Sequence, residues 1–277
     1  MRSYHRAVPQ PPGPTPLAGP IALHGGGEFL PGDEPFLDAL LEAAAVAAAD
    51  RGRRSPEPSR IVVLPAAAAR HAPDRAGAFG VAAFEQRARV TDRRVMVDVA
   101  SVVDPASAED PRVVAVIASA DLIHLPGGDP DLIPALLGSS AAGRALATAH
   151  RTGAVIAGAS AGAMALADWT WTRQGGIPGL GLIHGLIVVP HYDDIRRMAW
   201  QTSLEAVAPV GLGYLGLDER TGVISGDGRW RVVGEGAAYW FASGGTSPVV
   251  ARQGDRLDLR ADTGAATPSP GVRRRSR

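Results

Sequence analysis

Short apolar runs alternate with amphipathic stretches between Gly19 and Trp169. The apolar runs have the length and composition of strands, and the stretches between them have the composition of helices. The predicted strands cover residues 20–24, 61–64, 95–99, 121–125 and 153–157. The predicted helices cover residues 36–49, 75–88, 132–137 and 140–151. Strands that alternate with helices favour a parallel sheet.

The strand predicted at residues 61–64 is apolar at every position. A strand with two apolar faces needs helices packed above and below it, because neither face can be left in water. The predicted fold class is therefore α/β, a three-layer α/β/α domain with a mostly parallel central sheet.

The pattern changes after Trp169, where strands outnumber helices. The later predicted strands cover residues 186–189, 213–217, 222–225, 230–233 and 237–241. A single helix is predicted between them, at residues 195–206. With so few helices available as crossovers, these strands are expected to be antiparallel and to lie at an edge of the fold.

The two ends of the chain differ from its centre in composition. Residues 1–19 are rich in proline, and residues 245–277 are rich in Gly, Thr, Pro and Arg. Both compositions are typical of segments that cannot bury enough apolar surface to fold. We expect a disordered N-terminal segment over residues 1–19, a single α/β domain over residues 20–244 and a mostly flexible C-terminal tail over residues 245–277.

Composition excludes several classes of function. The 277 residues are 45% hydrophobic, and the 28 Lys and Arg balance the 28 Asp and Glu, which gives a formal net charge of +0. A balanced charge provides no general attraction for nucleic acid or for an anionic membrane. The absence of cysteine excludes disulfides, thiolate metal sites and a cysteine nucleophile.

The first residues lack the apolar stretch of a secretory signal, and no apolar run reaches the ~18 residues of a membrane span. We expect a cytoplasmic protein that acts on a small molecule without a metal or an organic cofactor. A homodimer is left open, because one chain does not reveal an interface.

Residues 158–162, Gly-Ala-Ser-Ala-Gly, match G-x-S-x-G, the sharp strand-to-helix turn that exposes a nucleophilic serine. An apolar run precedes the motif and a helix-forming run follows it, which is the context that this turn requires. Ser160 is therefore the predicted nucleophile.

A serine nucleophile needs a general base, and histidine is the usual one. Of the seven histidines, His191 is the best placed, because it follows the predicted strand 186–189. His24 and His124 also end or interrupt strands, but they are interpreted as packed core residues. Acyl transfer also needs N–H donors for the oxyanion, and the Gly128 and Ala161 amides are predicted to supply them. Asp129 also fits as a helix N-cap at that turn.

Four segments, in this order, resemble the serine peptidase family of aspartyl dipeptidase (dipeptidase E) and cyanophycinase. They are Gly-Gly-Asp at 127–129, Gly-Ala-Ser-Ala-Gly-Ala at 158–163, Pro-His-Tyr-Asp at 190–193 and Leu-Gly-Leu-Asp-Glu at 215–219. The resemblance implies a class I glutamine amidotransferase-like fold in which serine replaces the usual cysteine. It also implies Ser160 as nucleophile, His191 as base, and Gly128 with Ala161 as the oxyanion hole.

The resemblance does not identify the acid that orients His191. The family places an acidic residue about fifteen positions after the serine, whereas residues 173–176 here are Arg-Gln-Gly-Gly. Asp168 is the only acid between Ser160 and His191. Asp193 is the other candidate, because His191-Tyr192-Asp193 reproduces the H-x-E spacing of amidotransferases of this fold.

Substrate recognition is assigned to Asp129 and Arg197, the latter as a clamp for a substrate carboxylate. Arg196, its neighbour, is interpreted as solvated. The expected function is a serine hydrolase that cleaves a small peptide or isopeptide bond beside an aspartyl residue through a Ser160 acyl-enzyme. Two alternatives are a catalytically impaired ligand-binding member of the same fold and an amidotransferase-like domain with a partner synthase, which the lack of cysteine disfavours.

Overall fold

A computed structural model describes residues 18–54, 56–172, 175–193, 204 and 206–259. The described strands are β1 (Ile21–His24), β2 (Ser59–Val63), β3 (Val95–Val99), β4 (Leu122–Leu125), β5 (Val155–Ala159), β6 (Trp169–Thr172), β7 (Gly175–Pro178), β8 (Leu186–Val189), β9 (Gly213–Leu217), β10 (Thr221–Gly226), β11 (Arg229–Gly234), β12 (Ala237–Phe241), β13 (Val249–Arg252) and β14 (Arg256–Leu257). The described α-helices are α1 (Glu34–Asp50), α2 (Pro73–Val90), α3 (Pro111–Ser119), α4 (Leu132–Leu137), α5 (Ala141–Arg151) and α6 (Ala161–Leu166).

The central sheet has the order β14-β11-β10-β1-β5-β4-β2-β3 among the described residues. Neighbouring strands from β1 to β3 in this order are parallel, and β10, β11 and β14 extend the sheet with antiparallel pairings. Parallel strands end at the same edge of a sheet, so the segments that follow β1, β4 and β5 lie close to one another.

Helices cover both faces of this sheet, which confirms the three-layer α/β/α class. Alternate residues of β2 point to opposite faces: Ile61 packs in one core cluster with Phe36 of α1 and Phe84 of α2. Val62 packs in a second cluster, which includes residues of α3 and α5. Both faces of the strand are therefore dry, as its continuous apolar sequence predicts.

Helix α5 shows how local sequence sets an element. The Ser140 side chain accepts a hydrogen bond from the Gly143 N–H at 3.1 Å, which satisfies one of the free amides at the helix start. The buried residues of the helix then recur at helical spacing and form one apolar face: Ala142, Ala145, Leu146 and Ala149.

Strands β13-β12-β9-β8 form a second sheet, and β6 pairs with β7 in a hairpin. The expectation of antiparallel C-terminal strands holds for β9, β12 and β13 but is wrong for β8 and β9, which are parallel. Helix α3 was not predicted. β13 and β14 lie within residues 245–277, which were expected to be a tail. Of the predicted helix 195–206, only residues 204 and 206 are described.

None of the described helices is both long enough and apolar enough to cross a membrane.

Candidate active site

Ser160 lies at the turn between β5 and α6, where the chain reverses sharply. Its φ of 49° and ψ of −115° are unusual for a residue with a side chain. Two glycines permit this turn: a Cβ on Gly158 would lie 2.5 Å from the Gly162 carbonyl carbon, and one on Gly162 would lie 2.0 Å from the Leu125 oxygen. The Ser160 N–H donates to the His24 carbonyl at 2.9 Å, which fixes the turn to β1.

His191 reaches Ser160 from the end of β8. Its Nε2 lies 2.9 Å from Ser160 Oγ, as the position of both residues beyond strand ends predicts. The backbone N–H of His191 donates to the Gly25 carbonyl at 2.8 Å. The imidazole packs against Gly26, where a Cβ would lie 2.2 Å from His191 Cε1. The loop after β1 therefore supports both side chains.

Glu219 is the carboxylate that contacts the far side of the imidazole. Its Oε1 lies 2.8 Å from His191 Nδ1. With Nδ1–H donating to this carboxylate, Nε2 is left as an acceptor for the Ser160 hydroxyl. Both side chains are about two-thirds buried, with exposed fractions of 35% for His191 and 39% for Glu219.

Neither acid expected to orient His191 does so. Asp168 lies beyond the end of α6 and pairs with His184, with 2.7 Å between Oδ1 and Nδ1. Asp193 Oδ1 accepts the backbone N–H of Glu219 at 3.1 Å. Its carboxylate holds the backbone of the residue that does contact the imidazole.

Glu219 could have been found from the end of the strand that precedes it. It lies in the quoted segment Leu215–Glu219 and follows β9 by two residues, as His191 follows β8 by two. Because β8 and β9 are parallel, the two side chains emerge at the same edge of their sheet.

The predicted oxyanion donors face the same region. The Gly127–Asp129 turn follows β4, and the Ala161 amide is the first of helix α6. Within the part of the chain that is described, no protein acceptor takes the Gly128 or the Ala161 backbone N–H. Gly128 has a φ of 149°, and a Cβ there would lie 2.2 Å from the Ala67 oxygen, so only glycine fits this turn.

A cleft of about 650 Å³ opens beside Ser160. Its wall carries these apolar side chains: Pro130, Met164, Trp171 and Pro190. Asp129 also lines the cleft, as expected, but it is not the helix cap, because α4 starts after Asp131. Arg197 lies outside the described residues.

Two basic residues at the cleft, Arg70 and His71, already have carboxylate partners. Arg70 donates to both carboxylate oxygens of Asp131, at 3.0 and 2.7 Å, and lies 3.5 Å from Asp129. His71 Nε2 lies 3.3 Å from the same Asp129 oxygen. The hydrogen bonds between Arg70 and Asp131 lower the pKa of Asp131 and raise that of Arg70. Across the described residues, no group of three His, Asp or Glu side chains is arranged to hold a metal ion.

A serine, a histidine and a carboxylate in hydrogen-bond contact at a sheet edge, next to two free amides, form the arrangement that serine hydrolases use. The chain belongs to peptidase family S51, whose model matches residues 57–233, more than half of the sequence. This match confirms the family resemblance and makes the protein a member of a family of peptidases.

Two solved structures share the fold. One is a peptidase from an acI-B1 Actinobacterium, with a TM-score of 0.73, 24% identity and coverage of 88% of this chain and 98% of that chain. The other is a putative peptidase E protein from Listeria monocytogenes EGD-e, with a TM-score of 0.51, 12% identity and coverage of 85% and 99%. No curated protein matches the chain.

Proposed function

We propose that this protein is a serine peptidase that cleaves a small peptide or isopeptide bond beside an aspartyl residue through a Ser160 acyl-enzyme. The observation that carries the proposal is the continuous contact from Ser160 Oγ to His191 Nε2, at 2.9 Å, and from His191 Nδ1 to Glu219 Oε1, at 2.8 Å. A serine hydroxyl is a weak nucleophile until a base accepts its proton, and this contact supplies an oriented base.

In the first half of the reaction, the Ser160 hydroxyl proton passes to His191 Nε2 while Oγ bonds to the carbonyl carbon. The carbonyl oxygen becomes an oxyanion between the Gly128 and Ala161 N–H groups. Collapse of this intermediate breaks the C–N bond, and the leaving amine takes the proton from His191 Nε2. Glu219 does not take up a proton during these steps, and it stabilises the imidazolium.

In the second half, His191 Nε2 accepts a proton from water as the water oxygen bonds to the acyl carbon. The C–Oγ bond then breaks, and the proton returns from Nε2 to Ser160 Oγ. The products are a carboxylic acid and the regenerated enzyme.

The aspartyl preference is supported by the resemblance to aspartyl dipeptidase. Because Arg70 is already paired with Asp131 through two hydrogen bonds, Arg197 is the proposed clamp for the substrate carboxylate.

The alternative is a catalytically impaired member of the family that binds a ligand but does not hydrolyse it. A fluorophosphonate probe distinguishes the two, because it labels only an activated serine. We expect labelling of the wild-type protein at Ser160, loss of labelling in Ser160→Ala and His191→Ala, and hydrolysis of Asp-X dipeptides by the wild-type protein alone. An unlabelled wild-type protein with no hydrolysis of any member of a dipeptide panel would favour the alternative.

A further inference from the structure

Glu28 contacts the turn that carries the predicted oxyanion donor. Its Oε1 accepts the Gly127 backbone N–H at 2.8 Å, although 99 residues separate the two. The point where a Cβ on Gly127 would lie is 3.1 Å from this Glu28 oxygen and 3.7 Å from Ser160 Oγ. A half-buried carboxylate and the Ser160 hydroxyl thus both lie within 4 Å of the same point on the Gly127 turn.

The turn after β4 is held on both sides of Gly128. On one side the Gly127 N–H donates to Glu28, and on the other the Asp129 N–H donates to the Ala67 carbonyl at 2.8 Å. The Gly128 N–H between them has no acceptor within the described part of the protein. With both neighbouring amides engaged, the Gly128 peptide has little freedom to turn its N–H away.

The loop that carries Glu28 is itself fixed. Asp33, at the end of the loop, is buried and lies 2.9 Å from the buried His24 Nε2 at its start. The other Asp33 oxygen accepts the Phe29 N–H at 2.8 Å. The Phe29 ring packs edge-on against His124, at 5.1 Å between centroids, and against Phe84. The residue next to Glu28 is therefore anchored through both its backbone and its side chain.

From these contacts we infer that Glu28 is a positioning residue that orients the Gly127–Gly128 peptide so that the Gly128 N–H faces the oxyanion. The inference rests on the proposed function, since it concerns the same reaction. Preorganised N–H donors of this kind stabilise charge that develops only in the transition state, so losing their alignment lowers kcat more than it raises KM.

The Glu28 side chain acts as a hydrogen-bond acceptor, and its length decides whether it reaches the Gly127 N–H. Two conservative variants separate the effect of this length from the effect of the charge. Glu28→Gln keeps the length and an acceptor oxygen but removes the charge. Glu28→Asp keeps the charge but is one methylene shorter, so it does not reach the Gly127 N–H. We expect Glu28→Gln to retain the wild-type rate within about threefold, and Glu28→Asp and Glu28→Ala to lose about tenfold or more in kcat, in line with the 10²–10³ lost when an oxyanion donor is deleted outright.

The first measurement is the second-order rate constant for labelling of Ser160 by a fluorophosphonate, whose phosphoryl oxygen occupies the oxyanion hole. The second is kcat and KM for aspartyl p-nitroanilide. The pH dependence of the labelling rate is measured in each variant. The acidic limb of this pH profile is expected at the same pH in every variant, because the substitutions at Glu28 leave the contacts of His191 intact. A displaced histidine would move that limb.

Glu34→Ala is the matched control. Glu34 Oε2 accepts the backbone N–H of Gly32 at 2.8 Å, so this variant also removes a glutamate–glycine hydrogen bond from the same loop, away from Ser160. We expect its labelling rate to match that of the wild-type protein. Thermal unfolding shows whether each variant is folded. If Glu28→Ala does not fold, the labelling rates of Glu28→Gln and Glu28→Asp test the inference.

Three results would overturn the inference. The first is a wild-type labelling rate in both Glu28→Asp and Glu28→Ala. The second is a wild-type rate in Glu28→Asp with a loss in Glu28→Gln, and the third is a rise in KM with no change in kcat. The second and third would make Glu28 a receptor for a substrate cation instead. Failure of the proposed function is a separate result, because the wild-type protein itself would then not be labelled.

Discussion

Glu219 Oε1 lies 2.8 Å from His191 Nδ1, and each of the two residues is located two positions beyond the end of its strand. The strands β8 and β9 are parallel neighbours, with Val189 opposite Gly216. The parallel pairing of the two strands therefore brings the imidazole and the carboxylate together at one edge of the sheet. The Glu219 N–H is held in turn by Asp193.

Replacement of Glu219 by Gln should lower kcat by about 10³–10⁴, because an amide at this position can donate to Nδ1 and stabilise the wrong tautomer of His191. Turnover of aspartyl p-nitroanilide and fluorophosphonate labelling both measure this loss.

Asp168→Asn and Asp193→Asn are the comparisons for this prediction. Asp168 contacts His184, so its variant should retain full activity. Asp193→Asn keeps an acceptor oxygen for the Glu219 N–H and should lose less than about tenfold. A larger loss in Asp168→Asn than in Glu219→Gln would contradict the assignment of the orienting carboxylate.

Much of the site could be predicted because it depends on where strands end. Ser160 follows β5 and Gly128 follows β4, and parallel strands bring their ends to one edge. Glu219 was missed because the orienting acid was sought close to Ser160 and His191 in the sequence, whereas the parallel pairing of β8 and β9 brings in an acid 28 positions after His191. The predicted helix at residues 195–206 lies between the two strands, and a helix in that place is the usual crossover of a parallel pair, so this signal could have indicated their direction.

Helix α3 was missed for a different reason. It contains a run of β-branched residues, Val113, Val114, Val116 and Ile117, that are typical of strands. Its start signal is nevertheless clear: the Asp110 side chain accepts the Arg112 N–H at 2.8 Å, and Pro111 occupies the first helical position. Here the cap and the packing of the helix on the sheet outweigh the residue preferences.

Gly26→Ala should lower activity far more than it lowers stability. The new Cβ would lie 2.2 Å from His191 Cε1, so the imidazole must move away from Ser160. We expect kcat/KM to fall at least about 100-fold, since a displacement of about 1 Å of a reacting group has this effect.

Gly52→Ala is a control with the same backbone strain. Gly52 has a φ of 87°, comparable to the 112° of Gly26, but no atom lies within 4 Å of its would-be Cβ. Both variants should lose about 1–2 kcal/mol in the free energy of unfolding, and only Gly26→Ala should lose activity. Equal activity in the two variants would show that the contact between Gly26 and His191 is unimportant.

Arg197→Ala should raise KM for an aspartyl substrate about tenfold or more, which corresponds to the loss of a hydrogen bond to a charged group. Arg196→Ala should leave KM unchanged. The decisive comparison is an asparaginyl p-nitroanilide, which lacks the carboxylate: neither variant should change its KM. A similar rise in KM for both substrates, or in both variants, would contradict the role of Arg197 as a carboxylate clamp.

His124 should make the protein less stable in acid. The side chain is buried among Phe29 and Phe84, and neither ring nitrogen has a hydrogen-bond partner in the described structure. Burial, and to a lesser extent the nearby His24, lowers the pKa of His124 from its ordinary 6.5 to about 3. Between these two pH values the unfolded chain binds a proton that the folded protein does not, so this group costs no stability above pH 6.5 and progressively more as the pH falls towards 3.

The slope from this one group is at most about 1.4 kcal/mol per pH unit. His124→Phe removes the titrating group and retains an aromatic ring of similar shape, so its free energy of unfolding should fall less steeply between pH 6.5 and 4 than that of the wild-type protein. Urea unfolding at several pH values measures this difference. A slope in His124→Phe identical to that of the wild-type protein would mean that His124 is not kept neutral by burial.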